Sequence, residues 1–529
     1  MGSWKIRVLL VLLALLASSC AFVSRVSVTP TAGVEPDGDS IDVVVSNNGQ
    51  FAVYASYAEN LVAGDNNGEK DIFVRDNLNG TTELISRSTT GDPANGLSGQ
   101  PDMTPDGRYV VYWSFADDIV AGDTNGQADL FLHDRQLGTT EAVSVDSAGN
   151  IGAGNSLGGS ISDDGNRIVF YTTSELVGSD TNNNFDVYQR DRSAGTTTLI
   201  SRKAGSTQAA GSSFDPVISP DGENVIWWSS SSEIVSSDTN GQSDVFGRSN
   251  YAGGVVFNMT SGGNGPSYTG DVSNGLLPTV VVTSSATNLD GPDTNGVSDI
   301  FIVDVKFSGP SLILDTDRLT HGNGGSNYPV FGNGVSKVAF SSAASDLQEP
   351  GATPVDTNGT TDIYLWEGSI DPVVGTTRLA STTLTGGLAD GASFRRPALS
   401  SNGGALAYSS FATNLVDADT NGFEDVFVRP VFEPRIDSVS GDIVAGDVSI
   451  VTLSGQFSLD AESFLSGDGV IDVTIAAGTT TSLTLVIETE ATASTGPRDL
   501  YATNPAPELG IPFPLGGADK IGVTVLPAP

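Results

Sequence analysis

The chain has 529 residues, enough for several domains or for one repeat array with an appendage. Its 24 Lys and Arg stand against 63 Asp and Glu, a formal charge of -39. Such a field repels phosphate backbones and anionic headgroups, and no basic cluster offsets it, which excludes nucleic acid as a partner and confines any membrane contact to an anchor.

At the N-terminus, Lys5 and Arg7 precede an apolar run over residues 8–17 that is shorter than the roughly 20 residues a spanning helix needs. The run ends in Ala17-Ser18-Ser19-Cys20, which resembles a bacterial lipoprotein signal with Cys20 as the lipidated residue. The same residues suit an ordinary signal peptide cut near Ser19. Residues 1–20 are therefore expected to direct export, and Cys20, being the only cysteine, allows no intramolecular disulfide.

A motif D-x-N-G-x-x-D, followed by an apolar and then an aromatic residue, recurs seven times. Its Asp, Asn and Asp are Asp65, Asn67 and Asp71; Asp123, Asn125 and Asp129; Asp180, Asn182 and Asp186; Asp238, Asn240 and Asp244; Asp293, Asn295 and Asp299; Asp356, Asn358 and Asp362; and Asp419, Asn421 and Asp425. First aspartates lie 58, 57, 58, 55, 63 and 63 residues apart, a period that marks a repeat protein.

The second copy shows the unit. Residues 101–104 lead into the turn Pro105-Asp106-Gly107 and a strand over 109–115; the motif reverses the chain; strands over 130–133 and 139–145 follow. Four short antiparallel strands per period describe a propeller blade, so the fold class is all-β, a seven-bladed β-propeller over residues 24–431. The seventh copy is diverted by Pro430 and Pro434 before a fourth strand, and the segment around Arg25-Val26-Ser27-Val28 matches Leu84-Ile85-Ser86-Arg87. Residues near 24–31 are expected to complete the last blade and close the ring.

The turn Ser219-Pro220-Asp221-Gly222 and the strand start Asp244-Val245-Phe246 resemble the WD-repeat-like propellers of the TolB type, over roughly residues 41–430. That resemblance implies the propeller fold. It does not carry over a role in an envelope complex, because TolB has six such blades and a different accessory domain. Residues 348–354 lengthen one loop of blade six. From residue 434 the pattern changes to strands expected over 435–440, 448–455, 470–475, 482–489, 498–503 and 521–525, a sandwich of immunoglobulin-like size spanning 434–529. Leu453-Ser454-Gly455-Gln456-Phe457 and residues 496–505 resemble an IPT/TIG immunoglobulin-like domain, which implies a spacer or adhesive module.

The motif has two readings. In one, the first Asp and the Asn bond backbone N–H groups, Gly supplies a positive φ and the last Asp pins a strand. In the other, the same 21 residues contribute carboxylate and amide oxygens to Ca²⁺, with main-chain carbonyls completing the shell. Either way the seven loops should ring one face, expected to be polar, acidic and poor in aromatics, suited to a cation or a basic partner.

Catalytic signals are weak. Gly154-Asn155-Ser156-Leu157-Gly158 fits a nucleophile elbow but precedes no helix, and His133 and His321 occupy non-equivalent blades. Trp227 and Trp228 read as core. The expectation is a non-enzymatic, exported lipoprotein, monomeric and bound to the cell envelope only through its lipid, acting as a protein-binding or scaffolding propeller for an envelope or extracellular partner, with no certain cofactor. The alternatives are a Ca²⁺-dependent adhesin or structural propeller, and third an enzyme acting on carbohydrate or peptide at the pore.

Overall fold

The computed structural model describes residues 23–431 apart from 204–207, 237, 251–253, 292, 309–310, 333, 349–351, 353 and 371–372, and beyond them the backbone of strands between Arg435 and Leu526. The segment 1–20 with Cys20, and part of the 348–354 insertion, lie outside the described residues. No helix occurs among the described residues.

Seven antiparallel four-stranded sheets follow one another, with strands a to d running from the centre outward. Blade one is Ser40–Val45, Phe51–Ser56, Asp71–Asp76 and Thr81–Leu84. Blade two is Ser98–Met103, Tyr109–Ser114, Asp129–Asp134 and Thr139–Ala142. Blades three to six repeat the plan; in blade five, strands c and d lengthen to Asp299–Ser308 and Ser311–Arg318. The seventh sheet takes Ala398–Leu399, Ala405–Ser410 and Asp425–Pro430 from one end of the array and Ser24–Arg25 from the other. The ring is closed, as the match between the segments around Ser27 and Ser86 implied.

The middle of strand b is apolar in every blade because both its faces are covered by neighbouring sheets. In Tyr109–Ser114, Val110 and Tyr112 enter the seam with blade one while Val111 and Trp113 enter the seam with blade three, the two-residue alternation of a pleated strand. Seven apolar clusters result, one per seam. In six blades an aromatic ring on strand b stands about 6 Å from one on strand c, as in Tyr112 with Phe131 and Trp227 with Phe246; blade five pairs Val282 with Phe301 instead. Each buried large side chain contributes about 1.5–3 kcal/mol, so the seams carry most of the stability.

The connections into strand a contain a glycine because two backbones nearly touch there. A Cβ on Gly96 would stand 2.8 Å from the backbone nitrogen of Ala116, and one on Gly38 would stand 2.7 Å from the carbonyl carbon of Tyr57. In six blades the serine two places on then bonds across to strand b, as in Ser98 with Ser114 at 3.0 Å, whereas the Ser213 hydroxyl of blade four has no such partner among the described residues. Ser156 of the elbow-like motif sits in this structural place, fully buried and 2.9 Å from Thr172 Oγ1.

Closure uses both main chain and side chains. Val26 N–H donates to the Val426 carbonyl at 2.9 Å, and the Ser27 hydroxyl donates to Asp425 at 2.6 Å. Val23 packs into the seam of blades six and seven and Val26 into that of seven and one. The closing segment thus fastens two seams at once.

The second unit comprises mainly Glu433–Phe457 and Ala461–Pro529. Its strands fall on the six expected segments, with Ile443–Val444 and Glu462–Leu465 in addition, and pair into two four-stranded sheets. One pairing, Ile443–Val444 with Asp519–Leu526, is parallel.

Ser27→Ala should lower stability by about 1.5–3 kcal/mol, the value of a hydrogen bond to a charged group, and Ser144→Ala by a similar amount because the two hydroxyls do the same work in different blades. Deleting residues 23–27 should cost several times more, read as the shift in guanidinium unfolding. Gly96→Ala should cost about 1–3 kcal/mol through overpacking against Ala116, measured in the same way.

Candidate functional site at the acidic rim and the channel mouth

The last aspartate of each motif opens strand c and is fully buried. One of its oxygens accepts a hydroxyl two residues past the end of strand d: Ser86 on Asp71 at 2.5 Å, Ser144 on Asp129 at 2.7 Å, Ser201 on Asp186 at 2.6 Å and Thr260 on Asp244 at 2.7 Å. Thr320 serves Asp299 at 2.8 Å, Ser381 serves Asp362 at 2.7 Å, and Ser27 serves Asp425. The same hydroxyl oxygen accepts the N–H of the residue after the aspartate, from Ile72 in blade one to Val426 in blade seven.

The asparagines form Asx turns, each Oδ1 accepting the N–H two residues on, as Asn67 does from Glu69 and Asn125 from Gln127. Each Nδ2 donates to a carbonyl in the connection toward the next blade: Ala94, Gly152, Ala209, Gly263, Gly322, Ala389 and, across the closure, Pro36. Asn67, Asn125, Asn240, Asn358 and Asn421 also donate to the last aspartate of their own motif. The glycines take φ near 70°, and Asn183, in the glycine's place in blade three, takes 54°. These bonds tie each b–c loop to a d–a connection, so the seven motifs share one face.

The first aspartates differ from blade to blade. In blade three Asp180 accepts from the Tyr188 hydroxyl and the Gln208 amide; in blade six Asp356 accepts from the Tyr364 hydroxyl at 2.5 Å. In blade five Arg318 Nη1 lies 3.2 Å from Asp293 and 3.6 Å from Asp299, and in blade seven Arg25 Nη1 lies 3.4 Å from Asp419 and 3.2 Å from Asp425. In blades one, two and four, Phe73, Phe131 and Phe246 replace the tyrosines, and Asp65 Oδ1, Asp123 Oδ2 and Asp238 Oδ1 are buried with no hydrogen-bond partner among the described residues. Burial, then repulsion from Asp71, pushes Asp65 up to about 7, and burial pushes Asp71 and Asp129 up to about 6. Among the described residues no three Asp, Glu, His or Cys side chains converge as a ready-made metal group.

Inside the ring, the a strands of all seven blades line a cavity of about 810 Å³. Each a strand carries a bulge at its third residue or nearby in blades one to six. Asp42, Gln100, Asp215 and Tyr328 lie there at φ between 45° and 56°, a strained region for residues with a Cβ, and all four line the cavity. Deeper in the wall, Asp102 accepts N–H groups from Met103 and from Ile161 of the next blade, and Asp271 from Val272 and Phe331. Both are cross-links between a strands; burial nevertheless pushes Asp102 up to about 6.

The mouth on the motif face is aromatic, which corrects the expectation of a rim poor in such residues. Tyr171, Phe185, Phe214, Trp228 and Tyr268 form a ribbon across blades three to five, with centroid separations of 5.4 Å for Tyr171–Phe185, 5.7 Å for Tyr171–Phe214, 4.6 Å for Phe214–Trp228 and 5.3 Å for Trp228–Tyr268. Trp228 donates to Asp215 at 2.9 Å. On the opposite side Tyr57, Phe115, Phe394 and Phe411 are each 40–49% exposed, and Lys70 lies 5.8 Å from the Tyr57 ring and 5.6 Å from Trp113. Trp227 is core as expected. Trp228, which strand alternation turns to the opposite face, is partly core: it packs against the seam of blades four and five and its ring reaches the mouth beside Phe214 and Tyr268. His133 bonds Thr140 on the outer part of blade two and His321 is exposed in a connection, so neither lines the cavity.

Sequence reasoning missed the arginines as well as the ribbon. Arg25 and Arg318 stand two places before Ser27 and Thr320, where blades one, two, three and six have Leu84, Ala142, Leu199 and Leu379, and that aligned exception was the available signal.

No protein-family profile and no curated protein matches the chain. Among solved structures, a putative TolB from Agrobacterium tumefaciens is 16% identical over 74% of this chain and 90% of its own, with a TM-score of 0.29. An ulvan lyase of polysaccharide lyase family PL25 is 9% identical over 74% and 94%, with a TM-score of 0.38, and an ancestral GH74 enzyme is 9% identical over 78% and 51%, with a TM-score of 0.37. At these values the neighbours carry no functional argument, and the seven-bladed propeller stands on its own strand pairings.

Proposed function

We propose that this chain is an exported, non-enzymatic binding propeller that holds a segment of an envelope or extracellular protein at the channel mouth. The observation that carries the reading is the aromatic ribbon from Tyr171 to Tyr268, beside the strained, inward-facing Asp42, Gln100, Asp215 and Tyr328. Rigid aromatic faces flanked by carboxylates give a partner contact area and orientation at little entropic cost, and the formal charge of -39 favours a basic partner through long-range steering. The buried aspartates in the wall have both oxygens on backbone N–H groups, which fits structural rather than acid–base work.

In this reading residues 1–20 are a lipoprotein signal, Cys20 carries the lipid that ties a monomer to the cell envelope, and residues 434–529 form an immunoglobulin-like spacer. Cys20→Ser should move the protein from the membrane to the soluble fraction, checked by blotting cell fractions. Tyr268→Ala, at a side chain 42% exposed, should leave the melting temperature nearly unchanged and should weaken capture of the partner from native membranes by about 30-fold, the loss of about 2 kcal/mol at a binding hot spot. Equal capture by both proteins, or turnover of an envelope polysaccharide or peptide by the wild type, would replace this reading.

A further inference from the structure

Independently of the partner, the seven motifs form a comparison series within one molecule. Blades five and seven place a guanidinium nitrogen between the two carboxylates of the motif, within 3.6 Å of both. Blades three and six place a tyrosine hydroxyl on the first carboxylate. Blades one and two have neither: phenylalanine stands where the tyrosines do, Leu84 and Ala142 stand where the arginines do, and Asp65 Oδ1 and Asp123 Oδ2 are buried with no hydrogen-bond partner among the described residues; Asp186 Oδ2, Asp299 Oδ2 and Asp356 Oδ1 share that state, but in their blades a tyrosine hydroxyl or a guanidinium already serves the motif. Asp65 and Asp123 are 91% and 94% buried. An unpaired buried carboxylate oxygen costs several kcal/mol unless it gains a cation or a proton.

We propose that the motifs of blades one and two each bind a divalent cation of the calcium class between Asp65 and Asp71 and between Asp123 and Asp129, and that Arg318 and Arg25 are built-in replacements for that ion in blades five and seven. The donors available are oxygens only, from carboxylates and the surrounding main chain, the set that a hard cation prefers over thiolate- or imidazole-seeking metals. Two carboxylates fall short of a full shell, which leaves positions for carbonyls and water, as in low-affinity extracellular sites. Blade four shares the orphaned oxygen at Asp238, but Asn258 occupies the arginine's place there, so the proposal commits to the first two blades.

The test uses the mature chain, stripped with EDTA and titrated with calcium chloride at constant ionic strength, with calorimetric stoichiometry and melting temperature as readouts. The wild type should bind two equivalents and melt several degrees higher in millimolar calcium. Ala142→Arg, which copies blades five and seven on a half-buried position, should bind one equivalent while melting at least as high as the wild type in EDTA. Asp65→Asn combined with Ala142→Arg should bind none and lose the calcium response. Should Ala142→Arg fold poorly, Asp123→Asn tests the same site with an isosteric change. Absence of heat and of any melting shift in the wild type would overturn the proposal in favour of protonated or purely turn-forming aspartates. Calcium binding unchanged in the double variant would overturn it in favour of diffuse attraction to an acidic surface.

Discussion

A buried carboxylate at the head of strand c, clamped by a hydroxyl two residues past the end of strand d, is the constraint on which the ring depends. The clamp is reciprocal, because the hydroxyl donates to the aspartate and accepts the next backbone N–H, so it fixes both the register of the two outer strands and the direction of the loop that precedes them. The asparagine two places into the motif extends the clamp to the connection leading into the next blade. Apolar seams supply most of the free energy, yet they are chemically alike and would tolerate sliding. The polar clips give each blade one alignment.

Closure is the same clamp completed from the far end of the chain. Ser27 does for Asp425 what Ser86 does for Asp71, across a separation of 398 residues. Arg25, two residues earlier, adds ion pairs to Asp419, Asp425 and Glu35, so the joint carries more charge pairing than an ordinary blade. That addition is consistent with where the ring is most vulnerable, since strand d of blade seven is only Ser24–Arg25 and the covalent chain offers no backup there.

Rigid seams also explain the mouth. With strand b buried on both faces, variation is confined to the bulged a strands and to the ends of strand b, where side chains leave the seam for the axis. Four residues with a Cβ are held at positive φ there, a cost that the surrounding sheets over-determine. The aromatic ribbon and the acidic motifs meet at Phe185, which directly precedes Asp186 and packs edge-on to Tyr171.

Period, turn chemistry and the recurring Asp-Asn-Asp spacing determined the class, the number of blades and the closing segment, because these are local patterns repeated often enough to overrule chance. Ser27 was legible by its match to Ser86, and Trp227 as core by its apolar strand. What only the tertiary structure decided was which side chains leave the seam and which charges meet. Trp227 and Trp228 face opposite seams by simple alternation, but that Trp228 is only partly covered and reaches the mouth beside Phe214 and Tyr268 depends on the neighbouring sheets. The pairing of Arg318 with Asp293, and the lack of any such cation near Asp65 among the described residues, depends on distances across strands c and d, and distance between residues far apart in the chain is what folding supplies.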